Sequence, residues 1–120
     1  MTARTPAQLA GGSAEERAAE FLQRQGYALV KRNYRTRLGE IDLIVSDGEG
    51  LVFVEVRMRN DAGFGNALES ITPGKKRRII AAAKHYLMEL GHEPYCRFDV
   101  IAIDDGGKPE WHQGAFDTNR

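Results

Sequence analysis

The segment GEIDLIVSDGEGLVFVEVRMR, residues 39–59, consists of two apolar runs joined by a glycine-rich turn. Asp47-Gly48-Glu49-Gly50 between the runs is a hairpin signal, so strands are expected over Leu38–Ser46 and Leu51–Arg59. Side chains alternate across a strand, which puts Ile41, Leu43 and Val45 on one face and Val52, Val54 and Val56 on one face of the next. These six aliphatics make a core, each worth about 1.5–3 kcal/mol when fully buried. The opposite faces carry Glu40, Asp42 and Ile44, then Phe53, Glu55 and Arg57. Acids inside the most hydrophobic stretch of a chain restrict what it can become.

Turn length sets how these acids meet. A two-residue turn at Gly48-Glu49 and a four-residue turn give the same register, with Asp42 opposite Glu55 and Glu40 opposite Arg57; a three-residue turn would break it. Directly opposed side chains have Cβ atoms about 4.5–5.5 Å apart. Two carboxylates there repel by roughly 3 kcal/mol at an effective dielectric near 20. A raised pKa, a cationic side chain or a bound metal each relieves the cost. The plain alternative to a functional site is an ionic cluster in which Arg57 and a nearby lysine neutralise the pair.

The first helix carries a second misplaced acid. Ser13 with Glu16 forms a capping box, so the helix is expected from Ser13 to about Gln25, with Gly26 as its stop. At 3.6 residues per turn, Ala18, Ala19 and Leu22 lie on the same side as Glu15, which places Glu15 inside the apolar stripe. A carboxylate on a packing face is costly unless a cation or a metal meets it.

The remainder reads as one α/β domain. Residues 1–12 are expected to be a flexible leader and residues 13–120 the domain. Tyr27–Tyr34 reads as a strand, residues 60–70 as a mobile loop, and Thr72-Pro73 as the cap and first residue of a helix closed by Gly91. Phe98–Ile103 follows as a strand, Asp104–Gly107 as a turn and Trp111–Phe116 as a short last strand. That order implies a mixed sheet with helices packed on it.

Seventeen basic and seventeen acidic residues cancel over the 120-residue chain. Two blocks nevertheless lack acids, Arg24–Leu38 and Ser70–Met88. Such blocks are usually solvated faces, but two of them around an acidic centre suit a polyanion. Lys75, Lys76, Arg77 and Arg78 lie at a helix N-terminus, where backbone amides favour anions. Arg35 and Arg37, just before Gly39-Glu40-Ile41-Asp42, are expected beside the same groove. Asp99 is expected to be a hydrogen-bonded structural acid. His85, His92 and His112 have no metal-like spacing, and Cys96 and Trp111 read as packing residues. The single cysteine and the lack of a signal-like or membrane-length apolar run suggest a cytoplasmic protein.

Asp42, followed after the hairpin by Glu55-Val56-Arg57, resembles the PD-(D/E)XK nuclease pattern. With Gly12-x-x-Glu15, Gly26-Tyr27, Arg32-Asn33-Tyr34, Gly39-Glu40-Ile41-Asp42-Leu43-Ile44, Phe53-Val54-Glu55-Val56 and Arg97-Phe98-Asp99-Val100, the chain resembles the YraN-type family of bacterial proteins from about residue 12 to 116. That family is regarded as similar to archaeal Holliday-junction resolvases. The resemblance implies a restriction-endonuclease-like α/β/α core, a mixed sheet with a central antiparallel hairpin flanked by helices. It implies phosphodiester hydrolysis dependent on Mg²⁺, or Mn²⁺, on branched or structured DNA. Asp42, Glu55, the Val56 carbonyl and Glu15, which matches the helix-1 acid of the resolvase-like branch, would be metal ligands, the three acids sharing one ion. A homodimer follows by analogy with resolvases.

Arg57 occupies the position where the pattern has lysine. A lysine with a depressed pKa can lose its proton and help activate water, whereas arginine stays charged. Arg57 can still orient water, stabilise developing charge, or pair with Glu40. Lys75 or Lys76 is the candidate to reach the site from the second helix. The alternative to an endonuclease is therefore a catalytically impaired nuclease-like domain that binds nucleic acid, and the third reading is a purely structural ion cluster.

Overall fold

The structure is a computed structural model that describes residues 6–58, 69–104 and 109–117, with side chains from Ala14 onward. Its elements are α1 (Pro6–Arg24), β1 (Ala28–Arg35), β2 (Glu40–Ser46), β3 (Gly50–Met58), α2 (Pro73–Leu90), β4 (Tyr95–Ile103) and β5 (Pro109–Phe116). The strands form one sheet in the order β1-β2-β3-β4-β5. Neighbours are antiparallel except β3 and β4, which are parallel. A parallel pair needs a long crossover, and α2 lies in it.

Helix α1 begins at Pro6, so Ser13 lies within the helix and is not its cap, a correction to the expected start. The Gly11-Gly12 pair within it costs only about 1 kcal/mol per glycine relative to alanine. The helix ends as expected: Gly26 has φ 93°, Gly26 N–H donates to Gln23 O and Tyr27 N–H to Leu22 O, each at 3.0 Å. This is the pattern of a left-handed glycine cap. Helix α2 has both expected caps. Thr72 Oγ1 accepts from Lys75 N at 3.1 Å, Pro73 follows, and Gly91 closes it at φ 89°. The loop expected over 60–70 falls largely on residues 59–68, and the turn expected over 104–107 on 105–108, outside the described residues.

Two apolar layers sandwich the sheet. Ala18, Ala19 and Leu22 of α1 pack on Leu43, Val45, Val52, Val54, Ile101 and Ile103. On the other face, Ile79, Ile80, Ala82 and Ala83 of α2 pack on Ile44, Phe53 and Phe98. The Tyr34 hydroxyl meets Nδ1 of His85 at 2.7 Å, fastening β1 to α2. The result is the expected α/β/α arrangement with a mixed sheet.

One face assignment differs. Ile41 belongs with Tyr34, Ile44 and Phe53 on the α2 side, not with Leu43 and Val45. The alternation breaks at Asp42. Arg32 pairs with Leu43 and Tyr34 with Ile41, so the register sets Asn33 opposite Asp42. Asn33 has φ 50°, the one non-glycine residue with positive φ among the described residues. Left-handed backbone at Asn33 turns the end of β1, and Ile41 turns with its partner Tyr34.

Candidate functional site

The site lies where β2 and β3 part. Their recorded pairing runs from Ser46↔Leu51 to Leu43↔Val54, which is the expected register. One position further, Asp42 would face Glu55. There Asp42 Oδ2 accepts the Val56 backbone N–H at 2.8 Å, taking the place of a backbone acceptor on β2. A carboxylate inserted into the ladder gives the Val56 amide its partner as the strands separate.

Glu55 is buried, 4% exposed, between Val54 on the α1 side and Val56. It projects toward α2, where Lys75 Nζ lies 3.2 Å from its Oε2 and Arg57 Nη1 lies 3.4 Å away. Burial and then the nearby charge of Asp42 push the Glu55 carboxyl up to about 7, and Lys75 offsets part of this. Arg57 is pinned from its other side, Nε donating to Ser70 Oγ at 3.1 Å and Nη2 to Ser70 O at 3.2 Å.

Glu15 approaches Asp42 from the α1 side. Its carboxyl is raised by burial and then by Asp42, while a hydrogen bond from the Asn33 side chain pulls the other way. Asp42 thus stands between two carboxylates delivered from opposite faces of the sheet. Asn33 was missed in the sequence. Its signal was an asparagine, a poor strand former and a frequent occupant of left-handed backbone, inside an otherwise regular strand.

Glu40 is not opposite Arg57. It pairs across to Arg35, Oε2 to Nε at 3.3 Å, because β2 is in register with β1 here and has already left β3. Glu40 therefore does not occupy Arg57.

The donor types suit a hard cation, and Glu55 held near 7 by burial beside Asp42 is an electrostatic strain that a divalent ion would relieve. As the side chains stand, no group of three or more acidic, histidine or cysteine side chains is arranged to hold a metal ion among the described residues. The pair Asp42–Glu55 fits such an ion; Glu15 reaches it only by way of Asp42. The same Glu55 oxygen is held by two cations, the ionic cluster named above as the plain alternative.

Beside the acids is an open cleft of about 420 Å³ lined by Arg35, Arg37, Gly39, Glu40, Lys75 and Arg78, together with Thr36 and Leu38. Gly39 makes the cleft possible, since a Cβ there would fall 2.2 Å from Arg78 O. The β1–β2 turn thus rests directly on the first turns of α2. Arg35, Arg37, Lys75 and Arg78 are brought together. Lys76 is not: its Nζ lies over the Phe116 ring, 5.8 Å from the centroid, on the β5 side.

Asp99 is fully buried and structural. It accepts from Arg97 Nε at 2.8 Å, Arg97 Nη2 at 2.9 Å, Trp111 Nε1 at 2.8 Å and Gly114 N at 3.0 Å. That network pins β5 onto β4 and accounts for Arg97-Phe98-Asp99 without a ligand.

A mixed five-stranded sheet between two helices, with the buried Glu55 beside the half-buried Asp42 where its central hairpin opens, defines a three-layered α/β protein. Residues 14–103 match the model of the uncharacterised protein family UPF0102, and the chain belongs to that family. It is 52% identical over 113 residues to a UPF0102 protein of Nitrosospira multiformis, covering 92% of this chain and 95% of that protein. A UPF0102 protein of Cupriavidus necator is 53% identical over 113 residues, covering 93% and 86%. One from Cupriavidus metallidurans is 54% identical over 108 residues, covering 89% and 80%. No described helix is long and apolar enough to cross a membrane.

Proposed function

We propose that this protein is a metal-dependent endonuclease that hydrolyses phosphodiester bonds in branched or structured DNA. The observation that carries this reading is Lys75. The resemblance to the nuclease pattern calls for a lysine beside the second acid, the sequence has Arg57, and α2 delivers an ammonium to 3.2 Å from Glu55. Lysine at that point supplies from α2 the ammonium that the pattern places beside the second acid.

In this reading Asp42 and Glu55 hold Mg²⁺ or Mn²⁺, with the Val56 carbonyl as a further oxygen donor and Glu15 acting on Asp42. The bound ion would supply Lewis acidity at the phosphoryl oxygen and a more acidic water. Lys75, an ammonium beside Glu55, orients the attacking water. Arg57, fixed by Ser70, faces the negative charge that develops on the phosphoryl group. Arg35, Arg37 and Arg78 hold the flanking phosphates, which gives salt-dependent binding with little base preference.

The test is a Mg²⁺ and Mn²⁺ titration of wild type, Asp42→Ala and Lys75→Ala with branched, single-stranded and duplex DNA. Cleavage is expected in wild type, absent in Asp42→Ala, and reduced by roughly 10²–10⁴-fold in Lys75→Ala. Wild type that binds no divalent ion and cuts no DNA of any shape refutes the proposal. A second reading, a nucleic-acid-binding domain with impaired catalysis, is favoured by the grip of two cations on Glu55. It requires wild type to bind without cutting, and Arg57→Lys to cut.

A further inference from the structure

Leu38 stands at the tip of the β1–β2 turn with 62% of its surface exposed. A single exposed leucine is ordinary on a protein surface. This one is held out by a rigid frame. Thr36 N donates to Gly39 O at 2.8 Å, and Thr36 Oγ1 accepts from Leu38 N at 3.0 Å and Gly39 N at 3.1 Å. Below it, the Gly39 backbone rests against Arg78 O, so the turn has no room to fold toward α2. Arg35 and Arg37 flank it, and the wall of the same cleft is completed by Lys75, which touches Glu55.

An apolar side chain on a stiff tip, flanked by cations and near the buried Glu55 that Lys75 touches, suits a partner that is both polyanionic and able to offer an apolar surface. A continuous duplex shows its bases only as a closed stack. A branch point or a junction of single and double strands leaves a terminal base pair whose face is open. We propose that Leu38 is a wedge that packs against the terminal base pair at a strand discontinuity in DNA, while Arg35 and Arg37 hold the phosphates on either side. This rests on the nucleic-acid reading above and adds the feature that tells branched from linear substrate. Insertion at the tip sets the distance from the discontinuity to the Asp42–Glu55 pair, and so sets where a strand lies when it reaches them.

The experiment uses the full chain with EDTA, a four-way junction carrying 2-aminopurine beside the branch, and a linear duplex of the same sequence. Wild type is expected to raise the 2-aminopurine fluorescence and to bind the junction more tightly than the duplex. Leu38→Ala should remove the fluorescence rise and cut the junction-to-duplex preference roughly tenfold, with duplex affinity within about twofold of wild type. Leu38→Met, which keeps an apolar tip of similar volume, should retain both. An unchanged preference and fluorescence in Leu38→Ala overturns the wedge and leaves the nuclease reading standing. Wild type that binds neither DNA even at low salt overturns both.

Discussion

At the scale of single residues the site is a series of compromises around one carboxylate. Asp42 completes a backbone ladder through Val56 and in doing so crowds Glu55, which burial and Asp42 together hold near pH 7. The consequence for stability has a definite sign. Because the native carboxyl is raised above its usual value of 4.5, the unfolded chain gives up this proton first. The group's contribution is full below about pH 4.5 and is lost as pH rises to about 7, a difference on the order of 3 kcal/mol before solvent relaxation. Urea unfolding between pH 4.5 and 8 without divalent ions should show that slope in wild type and a flatter one in Glu55→Gln. Added Mg²⁺ should reduce the slope if the pair binds it, since the ion selects the ionised form. Asn33 offers a separate check. Its left-handed φ of 50° predicts that Asn33→Ala costs about 1–2 kcal/mol in thermal unfolding, whereas Asn33→Gly relieves the backbone and loses only the contact with Glu15.

Secondary-structure elements act as levers that bring those residues to one place. Helix α2 is the clearest case: Thr72 caps it through Lys75 N, so the cap that starts the helix also sets the root of the side chain that reaches Glu55. Thr72→Ala should cost about 1 kcal/mol and, under the proposed function, lower cleavage more than the stability loss explains. The turn at Gly39 is the opposing lever. Gly39→Ala puts a methyl 2.2 Å from Arg78 O, which either the turn or α2 must leave. A destabilisation of about 1–3 kcal/mol is expected in chemical unfolding and, under the proposed function, weaker DNA retention in a mobility shift. Element ends were the part of the secondary structure the sequence read least well. Thr72, Pro73, Gly26 and Gly91 announce their caps by local chemistry. Ser13 looks like a cap by the same chemistry, yet helix α1 continues back to Pro6.

Over the whole molecule the charges cancel, so the attraction to a polyanion that the proposed function requires must come from their arrangement. The cleft gathers Arg35, Arg37, Lys75 and Arg78, while Asp99 is satisfied inside the β4–β5 network. Replacing Arg37 with alanine should lower DNA affinity similarly for all sequences and reduce the slope of log K against log salt by about 1. Lys76→Ala should leave that slope unchanged, because Lys76 sits over Phe116 away from the cleft.

The alternation of Leu43, Val45, Val52 and Val54, the even turn that aligns Asp42 with Glu55, and the apolar stripe holding Glu15 were all legible in the chain itself. They are local periodicities, and short-range geometry alone gives them their meaning. Which cation would meet Glu55, which arginine would meet Glu40 and on which face Ile41 would lie were decided only when distant segments packed. Lys75 arrives through a helix that crosses the sheet, Arg35 through the far side of β2, and the reversal at Ile41 through the unusual backbone of Asn33 opposite Asp42. Contacts of that kind depend on the folded positions of residues far apart in the chain, which no spacing within one segment encodes.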